Sequence, residues 1–178
     1  ERNISQKPQL EVTAIGSFKQ KPGCPEYVHT AMSAEDISRL CLNECYNPSN
    51  ERNKIDRIEI VKITPTTELD SISNNIQDPW KVFTCNDKGE GCSANFFDDE
   101  YVLNNKSSLY YARAIQEPTN MVGGDPLRCE LNEAGECIKI RPCYSSGPDF
   151  DPNDDCLAPV GERAWSSPIF LTHPMSIY

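Results

Sequence analysis

Apolar and polar residues alternate along several stretches of this chain, and that period of two predicts strands. Leu10-Glu-Val-Thr-Ala14 alternates cleanly, and the run continues through Ile15 to Phe18, with Gly16 as a bulge or close-approach point. A strand is expected over residues 9–18. Ile55–Ile63 (Ile-Asp-Arg-Ile-Glu-Ile-Val-Lys-Ile) is the strongest β signal, rich in branched side chains that suit a pleated surface. Residues 80–85 and Ser108–Gln116 follow, the latter placing Leu109, Tyr111, Arg113 and Ile115 on one face. Tyr110 and Tyr111 must then face opposite ways, so at least one belongs to the core. Shorter strands are expected at residues 138–141 and 167–171.

One segment has a helical period. Ser33-Ala-Glu-Asp36 is a capping-box start, and Ile37, Leu40 and Cys41 follow at helical spacing. This helix is expected to end near Cys45, before Asn47-Pro48. Between residues 117 and 159 the chain reads as turns and cysteines. One helix and about six strands, with no helical crossovers between strands, predict a mainly β fold. The expected architecture is a single antiparallel, sandwich-like domain over residues 1–178, with one short helix and long disulfide-stapled loops.

Composition narrows the function classes. Seventeen Lys and Arg against 27 Asp and Glu give a net charge of −10, which leaves no basic stripe for nucleic acid or an anionic membrane surface. No apolar run approaches the roughly 20 residues that span a bilayer, so no membrane insertion is expected.

Nine cysteines change the picture most. Cys85 and Cys92, Cys129 and Cys137, and Cys143 and Cys156 each bracket a short loop of turn residues, a spacing that permits disulfides. Cys24 is expected to pair with Cys41 or Cys45, leaving the other thiol unpaired. Cys41 and Cys45, four apart on a helix, stand too far from each other to bond. Such pairs point to an oxidising compartment, periplasmic or extracellular.

Catalytic chemistry has little to work with. His29 and His173 sit in no metal or nucleophile motif, and both read as surface or capping histidines. No phosphate-cradling loop or nucleophile elbow is present, and no C-x-x-C pair favours zinc over disulfides. The best metal candidate is the loop carrying Asp149, Asp151, Asn153 and Asp155, whose alternating oxygen ligands suit Ca²⁺. It lacks the glycine and the final glutamate of an EF-hand. Asp98-Asp99-Glu100 reads as a surface loop, and Trp165, just before a strand, as a packing anchor rather than a ligand platform.

Five segments resemble a known family. They are Gly16-Ser-Phe-Lys-Gln-Lys-Pro-Gly-Cys24, Leu40-Cys-Leu-Asn-Glu-Cys-Tyr-Asn-Pro-Ser49, Ile55-Asp-Arg-Ile-Glu-Ile-Val61, Leu109-Tyr-Tyr-Ala-Arg-Ala-Ile-Gln-Glu-Pro118 and Arg163-Ala-Trp-Ser-Ser-Pro-Ile-Phe170. In order, they resemble the C-terminal portion of an uncharacterised, mostly exported bacterial family in the PHP (polymerase and histidinol phosphatase) metal-hydrolase superfamily. That superfamily activates water on a metal cluster held by His and Asp residues of a barrel, and no residue here matches those ligands. The resemblance therefore implies a non-catalytic accessory domain, partnered by an upstream hydrolase barrel of the same protein. The alternative reading is a stand-alone, disulfide-stapled interaction or assembly module capable of self-association, since strand edges and an odd thiol suit that role. No cofactor other than calcium is expected in this chain.

Overall fold

The computed structural model describes residues 2–3, 6–65, 75–85, 91–122, 124, 127–142 and 156–174. In chain order the elements are β1 (Arg2–Asn3), β2 (Gln9–Ile15), β3 (Phe18–Gln20), α1 (Glu26–Ala31), α2 (Ala34–Cys41), β4 (Pro48–Arg52), β5 (Ile55–Ile63) and β6 (Ile76–Thr84). They continue with β7 (Gly91–Phe97), α3 (Glu100–Asn104), β8 (Ser108–Gln116), β9 (Thr119–Val122), β10 (Cys129–Leu131) and β11 (Cys137–Ile140). The last are β12 (Leu157–Val160), β13 (Arg163–Trp165) and β14 (Ile169–Thr172).

The fold is mainly β. Its main sheet runs β1-β14-β8-β5-β6, with β13 also pairing β8. Every pair in it is antiparallel except β1 with β14. A second, two-stranded layer of β2 and β7 lies over it. The period of two explains the packing. Ile58, Ile60, Ala112 and Ala114 of the main sheet meet Leu10, Val12, Ala14, Ala94 and Phe96 of the smaller layer. Trp80 and Phe83 fill the space between, each in ring contact with Phe96. Residues on the intervening positions, such as Arg57, Glu59 and Arg113, point to the outer face of the sheet.

Two predicted strands, Ile55–Ile63 and Ser108–Gln116, have the expected bounds. The strand expected over residues 9–18 instead breaks into β2 and β3. Its break is Gly16, where a β-carbon would lie 1.7 Å from the Asn53 carbonyl oxygen. Among the described residues, three short helices stand where a single one is expected. α2 starts as predicted, with the Ser33 hydroxyl oxygen accepting from the Asp36 N–H. It stops at Cys41, because Leu42 and Asn43 both take left-handed backbone conformations.

That early stop frees Cys45 from the helix, and it bonds Cys24 with a Cα–Cα distance of 4.6 Å. Cys85 bonds Cys92 and Cys129 bonds Cys137, at 5.7 and 5.3 Å. The Cys85–Cys92 bond joins the end of β6 to the start of β7, so it staples one layer to the other. Cys156 is also disulfide-bonded, and Cys41 is an unpaired thiol. Cys143 lies outside the described residues, as do Asp149, Asp151, Asn153 and Asp155 of the calcium candidate. No helix among the described residues is long and apolar enough to cross a membrane.

Candidate functional site

Two places between the layers carry chemistry, one at each end of β5 and β8. At the first, β5 brings Lys62 opposite Tyr110 of β8, both on the inner face. The turn after β7 delivers Asp98 to the same spot, because Asp98 N–H is held by the Pro8 carbonyl and α3 begins just beyond. Lys62 Nζ lies 2.7 Å from Asp98 Oδ2, with side-chain exposures of 4 % and 0 %. The Tyr110 hydroxyl donates to the same oxygen at 2.5 Å, and the Glu100 N–H donates to Asp98 Oδ1 at 3.0 Å. Lys62 also reaches Glu100 at 3.5 Å and sits 4.9 Å from the centre of the Trp80 ring.

Burial, reinforced by the bond to Asp98, pushes the Tyr110 hydroxyl well above the ordinary tyrosine range. Burial and the nearby Asp98 charge raise Tyr101 in the same way. Tyr101 packs edge-on against His173. The aspartate therefore holds an ammonium, a hydroxyl and a backbone amide within the interior, a mutually satisfied polar cluster that braces this end of the sandwich.

Two sequence readings are corrected here. Asp98 is not part of a surface loop but the most enclosed charged residue described. His173 is buried rather than superficial, whereas His29 lies exposed on α1.

At the opposite end the layers part to leave a groove of about 500 Å³. Its floor is made of small side chains. Ala112 and Ala114 of β8 and Ala14 of β2 lie there, with Ile55 and Val12 beside them. One wall is the main chain around Gly16 and Ser17, fixed by polar contacts. Gln116 Oε1 accepts from the Ser17 N–H and hydroxyl at 3.3 and 3.0 Å, and Gln116 Nε2 donates to Glu162 Oε2 at 2.9 Å. Asn53 Nδ2 donates to Ser17 Oγ, and an Arg52 guanidinium N–H donates to the Gly16 carbonyl while stacking on Phe18. The other wall is β13, where Ala164 lies opposite Ala114 and so faces the groove.

Trp165 lies opposite Arg113, on the outer face of the sheet at the groove's rim. It is 60 % exposed and anchors no core, contrary to the expectation from sequence. Beside it Arg113 binds Glu59 Oε2 at 2.7 Å and pairs with Asp78, while Arg57 holds Glu59 Oε1 at 2.8 Å. Burial alone would raise the Glu59 carboxyl, but the Arg57 and Arg113 guanidiniums hold it below the usual range.

The residues singled out for metal binding, Asp149, Asp151, Asn153 and Asp155, lie outside the described residues. Among the described residues no cluster of three or more His, Cys, Asp or Glu is placed to hold a metal ion. Sequence reasoning missed the groove because alanines carry no chemical signature. The hint available was Gly16 beside an alternating run. No family model, curated protein or solved structure matches this chain.

Proposed function

We propose that this chain is the non-catalytic C-terminal accessory domain of a secreted PHP-like metal-dependent hydrolase, and that the groove end is where it packs against the barrel of the same protein. The observation that carries this is where the resembling segments lie. Four of the five supply residues to one groove: Gly16 and Ser17, Ile55, then Ala112, Ala114 and Gln116, then Arg163 to Ser166. The remaining segment is tied to the first by Cys24–Cys45. Disulfides support the export half of the reading, since reducing compartments keep thiols unpaired.

The test has two parts. Intact mass of the native protein should exceed that of the 178-residue chain by at least a domain. With Mn²⁺ or Zn²⁺, phosphomonoester or phosphodiester turnover should appear in the long form and be absent from the short one. Turnover by the repurified short chain, lost on changing His29 or His173, would overturn the reading.

A second reading, a stand-alone interaction or assembly module, is favoured by the edges of β2 and β13 that meet no further strand among the described residues. A native mass without a further domain, together with self-association in solution, would decide for it.

A further inference from the structure

The way the groove is lined says what shape it accepts. A strand seen face-on presents every second residue, and only a strand seen edge-on presents consecutive ones. Residues 12 to 17 line one side of the groove without a gap, and residues 162 to 166 line the other. Both walls are therefore backbone edges. Each belongs to a strand with a single neighbour among the described residues, since β2 pairs only with β7 and β13 only with β8. Unpaired N–H and C=O groups on such edges are templates for another strand.

The floor says what that strand must carry. Packed sheets stand about 10 Å apart and fill the space with interdigitating side chains. Trp80, Phe83 and Phe96 do this in the middle of the sandwich. At the groove the lining includes Ala14, Ala112, Ala114 and Ala164, whose short side chains leave about 500 Å³ open beside them. The missing volume has to come from outside. At the rim Arg163 has no ion-pair partner among the described residues, in a chain of net charge −10.

We infer that the groove receives one extended polypeptide strand that pairs through its backbone with the free edge of β2. Large apolar side chains at its alternate positions sit over the alanine floor, and a carboxylate near one end meets Arg163. Resting on the reading above, the strand is supplied by the hydrolase portion of the same polypeptide.

The test uses two synthetic peptides of about eight residues, matched to a typical strand. One alternates Leu and Thr and ends in Asp; the other replaces its central Thr residues with Pro, which cannot donate to a ladder. The purified chain should bind the first with a micromolar Kd and the second at least about tenfold more weakly. Hydrogen exchange of the β2 amides that point away from β7 should slow when the first peptide binds. Ala164→Trp fills the groove from its wall and should weaken binding by about tenfold or more, with an unchanged melting temperature. Leu103→Ser, at the far end of the molecule, should leave binding unchanged. If Ala164→Trp does not fold, the comparison of the two peptides decides alone. Absence of binding, equal binding of both peptides, or undiminished binding to folded Ala164→Trp would overturn the inference.

The source is read in the native protein without added peptide, where the same β2 amides should already be protected. Unprotected amides in a protein that does carry the hydrolase domain would overturn the source assigned here. A native protein lacking that domain would sink the accessory-domain reading instead, while the peptide result would still judge the groove.

Discussion

At the Tyr110 end of β8 the space between the layers holds a lysine, an aspartate and two tyrosines, all of them buried. At the Gln116 end of the same strand it is floored with alanine and stands open. One end closes with polar groups that satisfy one another, and the other is bounded by polar groups that only hold its walls. A buried charge pair tolerates no intruder, because any displacement leaves a desolvated charge alone. An apolar gap tolerates one readily, since filling it returns lost packing contacts. The difference separates an end of the fold that is filled from one that is open.

The largest effect should come from the closed end. Asp98→Ala strands the Lys62 ammonium and the Tyr110 hydroxyl, and should cost about 3–5 kcal/mol in urea denaturation. Pairing Lys62→Met with Asp98→Leu should recover most of that loss, because a matched apolar pair leaves no charge behind. A cost for Asp98→Ala below about 1 kcal/mol would show that the cluster does not hold that end.

Next in size is the staple between the layers. Replacing both Cys85 and Cys92 with Ala opens a loop of sequence separation 7 and should cost about 2–3 kcal/mol. Hydrogen exchange should then quicken along β7 and the end of β6, while the Lys62 end stays protected. Uniform loosening would mean that the two ends are not independent.

The outer-face ion pairs sharpen the comparison through pH. Glu59 titrates below its ordinary value in the folded state, so its stabilisation is fully present above about pH 4.3. As pH falls through the lowered folded value, the Arg57 and Arg113 pairs are lost and stability falls with them. Glu59→Gln should flatten that part of the stability profile, and an unchanged slope would remove the pairs from the account.

The smallest effect belongs to the open end. Trp165→Ala should change stability by no more than about 0.5 kcal/mol, as expected of a ring that packs on little. A larger loss would make Trp165 the anchor that its sequence context suggests.

Strands buried on one face were the legible part of this chain. Ile55–Ile63 and Ser108–Gln116 carry nine residues each of alternating or branched character, and both begin and end where that character does. Gly91–Phe97 was illegible, since Gly-Cys-Ser-Ala-Asn lacks branched residues and its inward positions are Cys92, Ala94 and Phe96, of which only Phe96 is large and apolar. The Cys85–Cys92 and Cys129–Cys137 loops were legible because turn residues between close cysteines leave few geometries. Asp98 was not, because its burial depends on Lys62 and Tyr110 on two separate strands, and no local pattern encodes such a meeting. Alanine hid the groove for the opposite reason: it reads as filler whether its neighbour is a side chain or a void.

Gly16 has a consequence for how the groove behaves under load. With the Asn53 carbonyl oxygen where a β-carbon would be, the bend between β2 and β3 is wedged against the strand-to-strand turn beneath it. Ser17, bound by both Asn53 and Gln116, locks the next residue to the main sheet. The bend is thus a fulcrum rather than a hinge. Force applied along β3, or through the Cys24–Cys45 cross-link beyond it, is grounded at Asn53 before it reaches β2. The mouth of the groove is thereby braced independently of the segment that Cys24–Cys45 closes.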